Sequence, residues 1–254
     1  MSKIRTSKIK ATGIETSEIK VTEINKMTTR QRIIDEALTL FSRRGYNGTS
    51  VKNIADAVGI KDSSIYKHFR SKREIIDAIA DQMRQRIEKM SLEFGLPQEP
   101  SNGAAQPAPD AASVNSSVQD CETSGAAAVA FEYGSMSLET LQELIRKVFL
   151  FYLRDDFASR FWRLAGIEQY QNKEIYEIYR TIFFEQSIQY QRELFAEMIK
   201  QGAFREADPE AMAISFYAPV FFLLSKYSDR PDETDEALRM LDRQIEEFCR
   251  VYKK

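Results

Sequence analysis

The sequence predicts an all-α protein in two parts, a small basic N-terminal helical domain followed by a larger acidic one. Three observations carry the prediction: apolar residues recur at helical spacing, capping residues stand ahead of those stripes, and charge is divided along the chain. Residues 26–73 hold 11 Lys and Arg against four Asp and Glu, whereas residues 74–254 hold 20 against 31. The formal net charge of -2 therefore conceals a basic segment suited to a polyanion and an acidic remainder that keeps away from it.

In chain order, residues 1–26 form a low-complexity extension. Ile4, Ile9, Ile14, Ile19 and Ile24 recur every five residues, a period that fits neither helix nor strand and buries no face. A repeated coding unit, with Met27 as an alternative start, accounts for the pattern; a basic arm that touches DNA is the functional alternative. The next segment, 27–72, reads as three short helices. Thr28 caps the first, with Gln31 reciprocating, and Ile33, Ala37, Leu40 and Phe41 form its stripe. Ser50 caps the second, which carries Val51, Ile54, Ala55 and Val58 on one face before Gly59 turns the chain. The third, about Asp62 to Phe69, faces Ile65 and Phe69 inward, so Ser63, Ser64, Tyr66 and Lys67 point elsewhere. Two short helices joined by a glycine turn make a helix-turn-helix, and one such helix fits the major groove of DNA.

Residues 73–254 make the larger helical domain. Ser71 and Glu74 are spaced as a capping box that opens a fourth helix, whose N-terminal amides together with Lys72 suit a phosphate. Gly95–Ser135 holds four of the seven prolines, nine alanines and no Lys or Arg, and reads as a flexible acidic insert. Helices are expected around 141–154, 157–170, 173–201 and 209–227. Nineteen of the 28 aromatic residues lie between Leu141 and Tyr227. They suit either a Phe-filled core or the wall of an apolar cavity for a small molecule. In the last helix Leu238, Leu241, Ile245, Phe248 and Tyr252 form a narrow a/d seam, which suits a partner helix or the subunit's own core.

Several classes are excluded. The longest apolar run, Ala211 to Leu224, is broken by Ser215 and Pro219 and is too short to span a bilayer. With no secretory pattern at the N-terminus and only Cys121 and Cys249, a cytoplasmic protein with reduced thiols is expected. No nucleophile and base pair, phosphate-cradling glycine loop or metal-ligand cluster argues for an enzyme, and no cofactor is implied. His68, the sole histidine, has no cluster to join; a phosphate donor and a helix-end hydrogen bond remain its two readings.

Residues 30–76 carry a dense pattern: A-L-x-L-F-x-x-x-G-Y ending at Tyr46, T-S-V-x-x-I-A from Thr49, and I-Y-x-H-F-x-S-K-x-E from Ile65. In these runs the chain resembles the DNA-binding domain of the TetR family of bacterial transcriptional regulators. The resemblance implies that Tyr66 contacts the DNA backbone or a base, that Asp62, Ser63 and Lys67 lie toward bases, and that Ser50, His68 and Lys72 lie toward phosphates. Lys61 and Ser64 complete the candidate DNA-binding set, with Lys61 and Asp62 at positions where the family varies. It also implies a small-molecule cavity, for which Phe149, Tyr152, Trp162, Tyr176, Tyr179 and Phe183 are the candidate lining. Glu168 and Glu185, among these aromatics, are read as facing either a cationic ligand or solvent. Similar proteins dimerise through their last two helices, so the seam from Leu238 to Tyr252 becomes the candidate interface of a homodimer on a palindromic operator. The resulting expectation is a ligand-released repressor, with a DNA-binding architectural or assembly-control protein as the alternative.

Overall fold

A computed structural model describes residues 27–95, 128–228 and 230–254. The N-terminal repeat and most of the acidic insert, 96–127, lie outside the described residues. The described chain is helical, apart from an isolated antiparallel bridge between Phe204 and Lys253.

Helix α1 (Thr29–Arg44) begins with the reciprocal box expected at Thr28, whose hydroxyl accepts from the Gln31 amide while Gln31 accepts from the Thr28 amide. Helix α2 (Val51–Val58) is capped by Ser50 with Asn53 as the reciprocating residue. Gly59 follows at φ 76, a left-handed conformation that costs glycine little. Helix α3 is shorter than expected: regular helix covers only Asp62–Ile65. Lys61 offers no side-chain cap, and the chain then tightens into i→i+3 bonds, Lys67 N–H to Ser64 O at 3.3 Å and His68 N–H to Ile65 O at 2.9 Å. The inward pair is as the spacing requires, Ile65 and Phe69 being 1% exposed.

Helix α4 (Lys72–Glu93) is capped by Ser71, but the box at its start is shifted by one residue. Glu74 accepts the Arg70 amide at 2.6 Å instead of returning to Ser71. Helix α5, residues 128–135, corrects the reading of 95–135 as wholly linker. Ala130 is fully buried there and Tyr133 packs on the cluster around Phe195 and Phe204, an apolar burial that an extended tail cannot make. The remaining helices are α6 (Leu138–Arg154), α7 (Asp156–Glu168), α8 (Lys173–Arg180), α9 (Gln186–Lys200), α10 (Pro209–Tyr227) and α11 (Thr234–Tyr252). The expected continuous helix 173–201 is thus two, joined by a π-helical turn, Thr181–Glu185. Such turns widen a helix locally and re-aim its side chains.

The small domain is seated on α7, not strung from a linker. Ile33, Phe41, Ile54, Ile65 and Ile79 share one continuous core with Phe157, Phe161, Leu164 and Phe183 of the larger domain. The α11 seam also differs from expectation. Leu241, Ile245 and Phe248 are buried within their own subunit, and Leu238 and Tyr252 pack against the same clusters. An a/d spacing measures a stripe's width, and here α6, α9 and α10 cover it. We predict that Ile245→Ala lowers the unfolding free energy by about 2–5 kcal/mol, measured by urea denaturation, as expected for truncation inside a packed core.

Candidate functional site

One candidate surface is the outer side of the helix-turn-helix. Lys61, Asp62, Ser63 and Lys67 are exposed, and Tyr66 exposes 57% of its surface; Ser64 and His68 are half-buried. The inward pull of Ile65 and Phe69 leaves the side chains between them facing out. An exposed tyrosine has no role in this core, and its ring and hydroxyl are free to meet a sugar-phosphate edge or a base.

Two residues expected at phosphates are engaged inside the protein. The Ser50 hydroxyl donates to Asn53 Oδ1 at 2.8 Å and accepts the Asn53 amide at 3.1 Å. Lys72 donates to the carbonyls of Tyr46 at 2.8 Å and Thr49 at 2.9 Å, and its ammonium lies 4.0 Å from the centre of the Tyr46 ring. Burial lowers the Lys72 pKa, with the negative charge of Glu168 opposing that shift. Lys72 therefore ties the start of α4 to the turn after α1, which orients the α2–α3 unit.

That turn is also where the two domains meet. Glu168, the last residue of α7, is fully buried, and its Oε1 accepts the Tyr46 amide at 2.7 Å. Neither a ligand contact nor a solvated face describes it. A Cβ at Gly45 would lie 2.9 Å from Glu168 Oε1, and Gly45 has φ 74, so close approach and backbone conformation both require glycine. Arg160 makes a second tie, donating to the Asp35 carbonyl at 3.1 Å, Asp35 Oδ1 at 2.7 Å and Thr39 Oγ1 at 2.6 Å. Glu185 lies on the surface, where it pairs with Arg180, which holds its carboxyl below the usual range.

The second candidate site is a cavity of about 230 Å³ among α5, α6, the π turn, α9, α10 and α11. Of the expected lining, Phe149, Tyr152 and Phe183 are present. Trp162, Tyr176 and Tyr179 are not: Trp162 packs edge-on against Tyr179 and Phe183 at 5.8 and 5.1 Å, and Tyr176 stacks on Tyr179 at 6.1 Å, so these rings fill space between α7 and α8. Sequence reasoning missed the polar groups of the wall, Tyr133, Ser187, Tyr190, Gln191, Tyr217 and Lys253. Their signal is on α9, where Ser187 and Gln191 interrupt the stripe continued by Leu194, Phe195 and Met198. Burial pushes the Tyr217 phenol up to about 12 and raises the Cys249 thiol, also in the wall, so both stay protonated at neutral pH. Among the described residues, no cluster of His, Cys, Asp and Glu could hold a metal, and no helix is long and apolar enough to cross a membrane.

Residues 33–79, which span α1 to the first turns of α4, match the family described as bacterial regulatory proteins, tetR family. Over that stretch the chain carries the N-terminal domain of tetR-family regulators. Over 48 residues it is 50% identical to the biofilm operon icaADBC negative transcriptional regulator IcaR of Staphylococcus aureus, a stretch covering 19% of this chain and 26% of that one. The chain thus matches about a quarter of the length of this curated relative. The whole described fold is that of tetR-family structures. A putative TetR-family regulator from Mesorhizobium loti superposes with a TM-score of 0.57 at 18% identity, over 89% of this chain and 97% of that one. SmeT, the repressor of a Stenotrophomonas maltophilia multidrug efflux pump, gives 0.57 at 19% identity in its triclosan complex, over 90% and 93%. Sequence identity is therefore concentrated in the tetR domain, while the larger domain shares its helical arrangement alone.

The joint between the domains yields a prediction. Glu168→Ala leaves the Tyr46 amide buried without an acceptor and lowers stability by about 1–3 kcal/mol, read by urea denaturation; an unchanged midpoint and slope would count against the Glu168–Tyr46 bond.

Proposed function

We propose that the chain is a sequence-specific DNA-binding transcriptional regulator, a homodimer that releases a palindromic operator when a small apolar molecule occupies the cavity. The observation that carries the reading is the pairing, in one chain, of an exposed reading helix with an internal cavity whose wall packs on the helix that seats the reading domain. Phe183 lines the cavity and touches Trp162 and Phe161 of α7, at ring separations of 5.1 and 6.0 Å, and α7 ends in Glu168. The π turn supplies Phe183 to the wall and α7 packs directly behind it, so these are the first elements a ligand would move. The triclosan complex of SmeT supports the cavity reading by analogy of fold.

For such a device a ligand must bind one domain geometry more tightly than the DNA-competent one, or it shifts nothing. A two-fold dimer sets the spacing of its two α3 helices against successive major grooves. With α11 turned into its own subunit, the dimer face is assigned to the outer side of α10, where Ile214, Ala218 and Phe222 lie four residues apart and exposed; Phe222 exposes 58% of its surface. Helix α10 is apolar enough to face two cores at once.

Two outcomes test the reading. Tyr66→Ala weakens binding to the selected operator on the order of tenfold, measured by fluorescence anisotropy, while the melting temperature stays that of the parent. Phe222→Glu shifts sedimentation from dimer toward monomer and weakens operator binding with it; a variant that stays dimeric places the interface elsewhere.

A further inference from the structure

Taking the cavity as a small-molecule site, we propose that its occupant is an uncharged, largely apolar molecule carrying a hydrogen-bond donor, which it delivers to Oε1 of Gln191. Gln191 stands at the centre of the α9 face that lines the cavity, one turn after Ser187 and one turn before Leu194 and Phe195. Its amide oxygen is buried and accepts no hydrogen bond from the protein. A buried acceptor left open destabilises the fold, and such groups recur where a ligand or ordered water completes them.

Most other polar groups of the wall already have hydrogen-bond partners within the protein. The Tyr217 hydroxyl donates to the Phe183 carbonyl at 2.5 Å and is bonded by Ser187. Tyr133 and Tyr190 are hydrogen-bonded together. Lys253 donates to the Met136 carbonyl at 2.7 Å. The acceptor that the wall leaves open is therefore Gln191 Oε1.

Charge narrows the class further. No Asp or Glu lines the cavity, so a cation would be desolvated with only Lys253 for a charged neighbour. An anion directed at Gln191 Oε1 would meet the negative end of the amide dipole. The rest of the wall, including Phe149, Phe195, Phe216 and Phe248, offers apolar faces and ring edges to a flat hydrocarbon body.

The test is calorimetric titration of the full chain with 2-naphthol, its acceptor-only analogue 2-methoxynaphthalene, cationic 2-naphthylmethylamine and anionic 2-naphthoate, each also against Gln191→Leu. In the parent, 2-naphthol should bind about tenfold more tightly than 2-methoxynaphthalene, with both charged probes weaker than either. Gln191→Leu should bring the naphthol to methoxynaphthalene ratio to about one while methoxynaphthalene still binds. Equal binding of these two by the parent, a ratio that survives Gln191→Leu, or tightest binding of a charged probe would each overturn the donor assignment and leave the cavity as a ligand site. If none of the four binds, the cavity reading fails and the inference falls with it. Should Gln191→Leu not fold, the parent's ratio decides alone.

Discussion

The Glu168 carboxylate, held out of water at the end of α7, accepts the Tyr46 amide, and the placement of the reading helix follows from that bond. On its other side the Tyr46 carbonyl accepts from Lys72, so a single residue of the α1–α2 turn is gripped by the larger domain and by the start of α4. Hydrogen bonds to a charged group contribute about 1.5–3 kcal/mol net, more than an exposed ion pair, whose typical contribution is about 0–1 kcal/mol. The tie is therefore stiff compared with surface pairs such as Arg73 with Asp77. Arg160 adds a second fixed point on α1, so α7 holds that helix along its length and not only at its end.

This arrangement places a rigid body between cavity and DNA face. Close-packed interiors respond to a new volume by switching between arrangements, because there is little free space to absorb it. The π turn is the natural place for such a response: it carries Phe183 into the cavity wall, and its carbonyl at that residue is held by Tyr217 from α10. A ligand that displaces Phe183 pushes on Trp162 and Phe161, and through them on the helix that ends at Glu168. The account needs differential affinity for two domain arrangements, not a particular wire of residues.

Much of the small domain was legible in the sequence because its determinants are local. Thr28 with Gln31, Ser50 before Val51, and Gly59 act within a few residues of themselves, and the inward pair Ile65 and Phe69 follows from spacing alone. The bond between Glu168 and Tyr46 joins residues 122 positions apart, and no local pattern marks it. The α11 stripe was visible, but its spacing is the same whether a partner or its own subunit covers it. Aromatic enrichment was likewise visible without separating rings that fill space, Trp162 and Tyr179, from rings that border it, Phe149 and Phe183. Nothing in the local spacing marks the end of α3 at Ile65 or the π turn at Thr181–Glu185.

The central claim is that the exposed face of α3, set in place by α7, reads a specific two-fold DNA site. The most direct test is selection of bound duplexes from a random library by the purified full chain at near-physiological salt, followed by sequencing of the enriched pool. The account predicts enrichment of an inverted repeat whose half-sites are centred about one helical turn, or a multiple of it, apart. A folded, dimeric protein that enriches no sequence above the starting pool would contradict it.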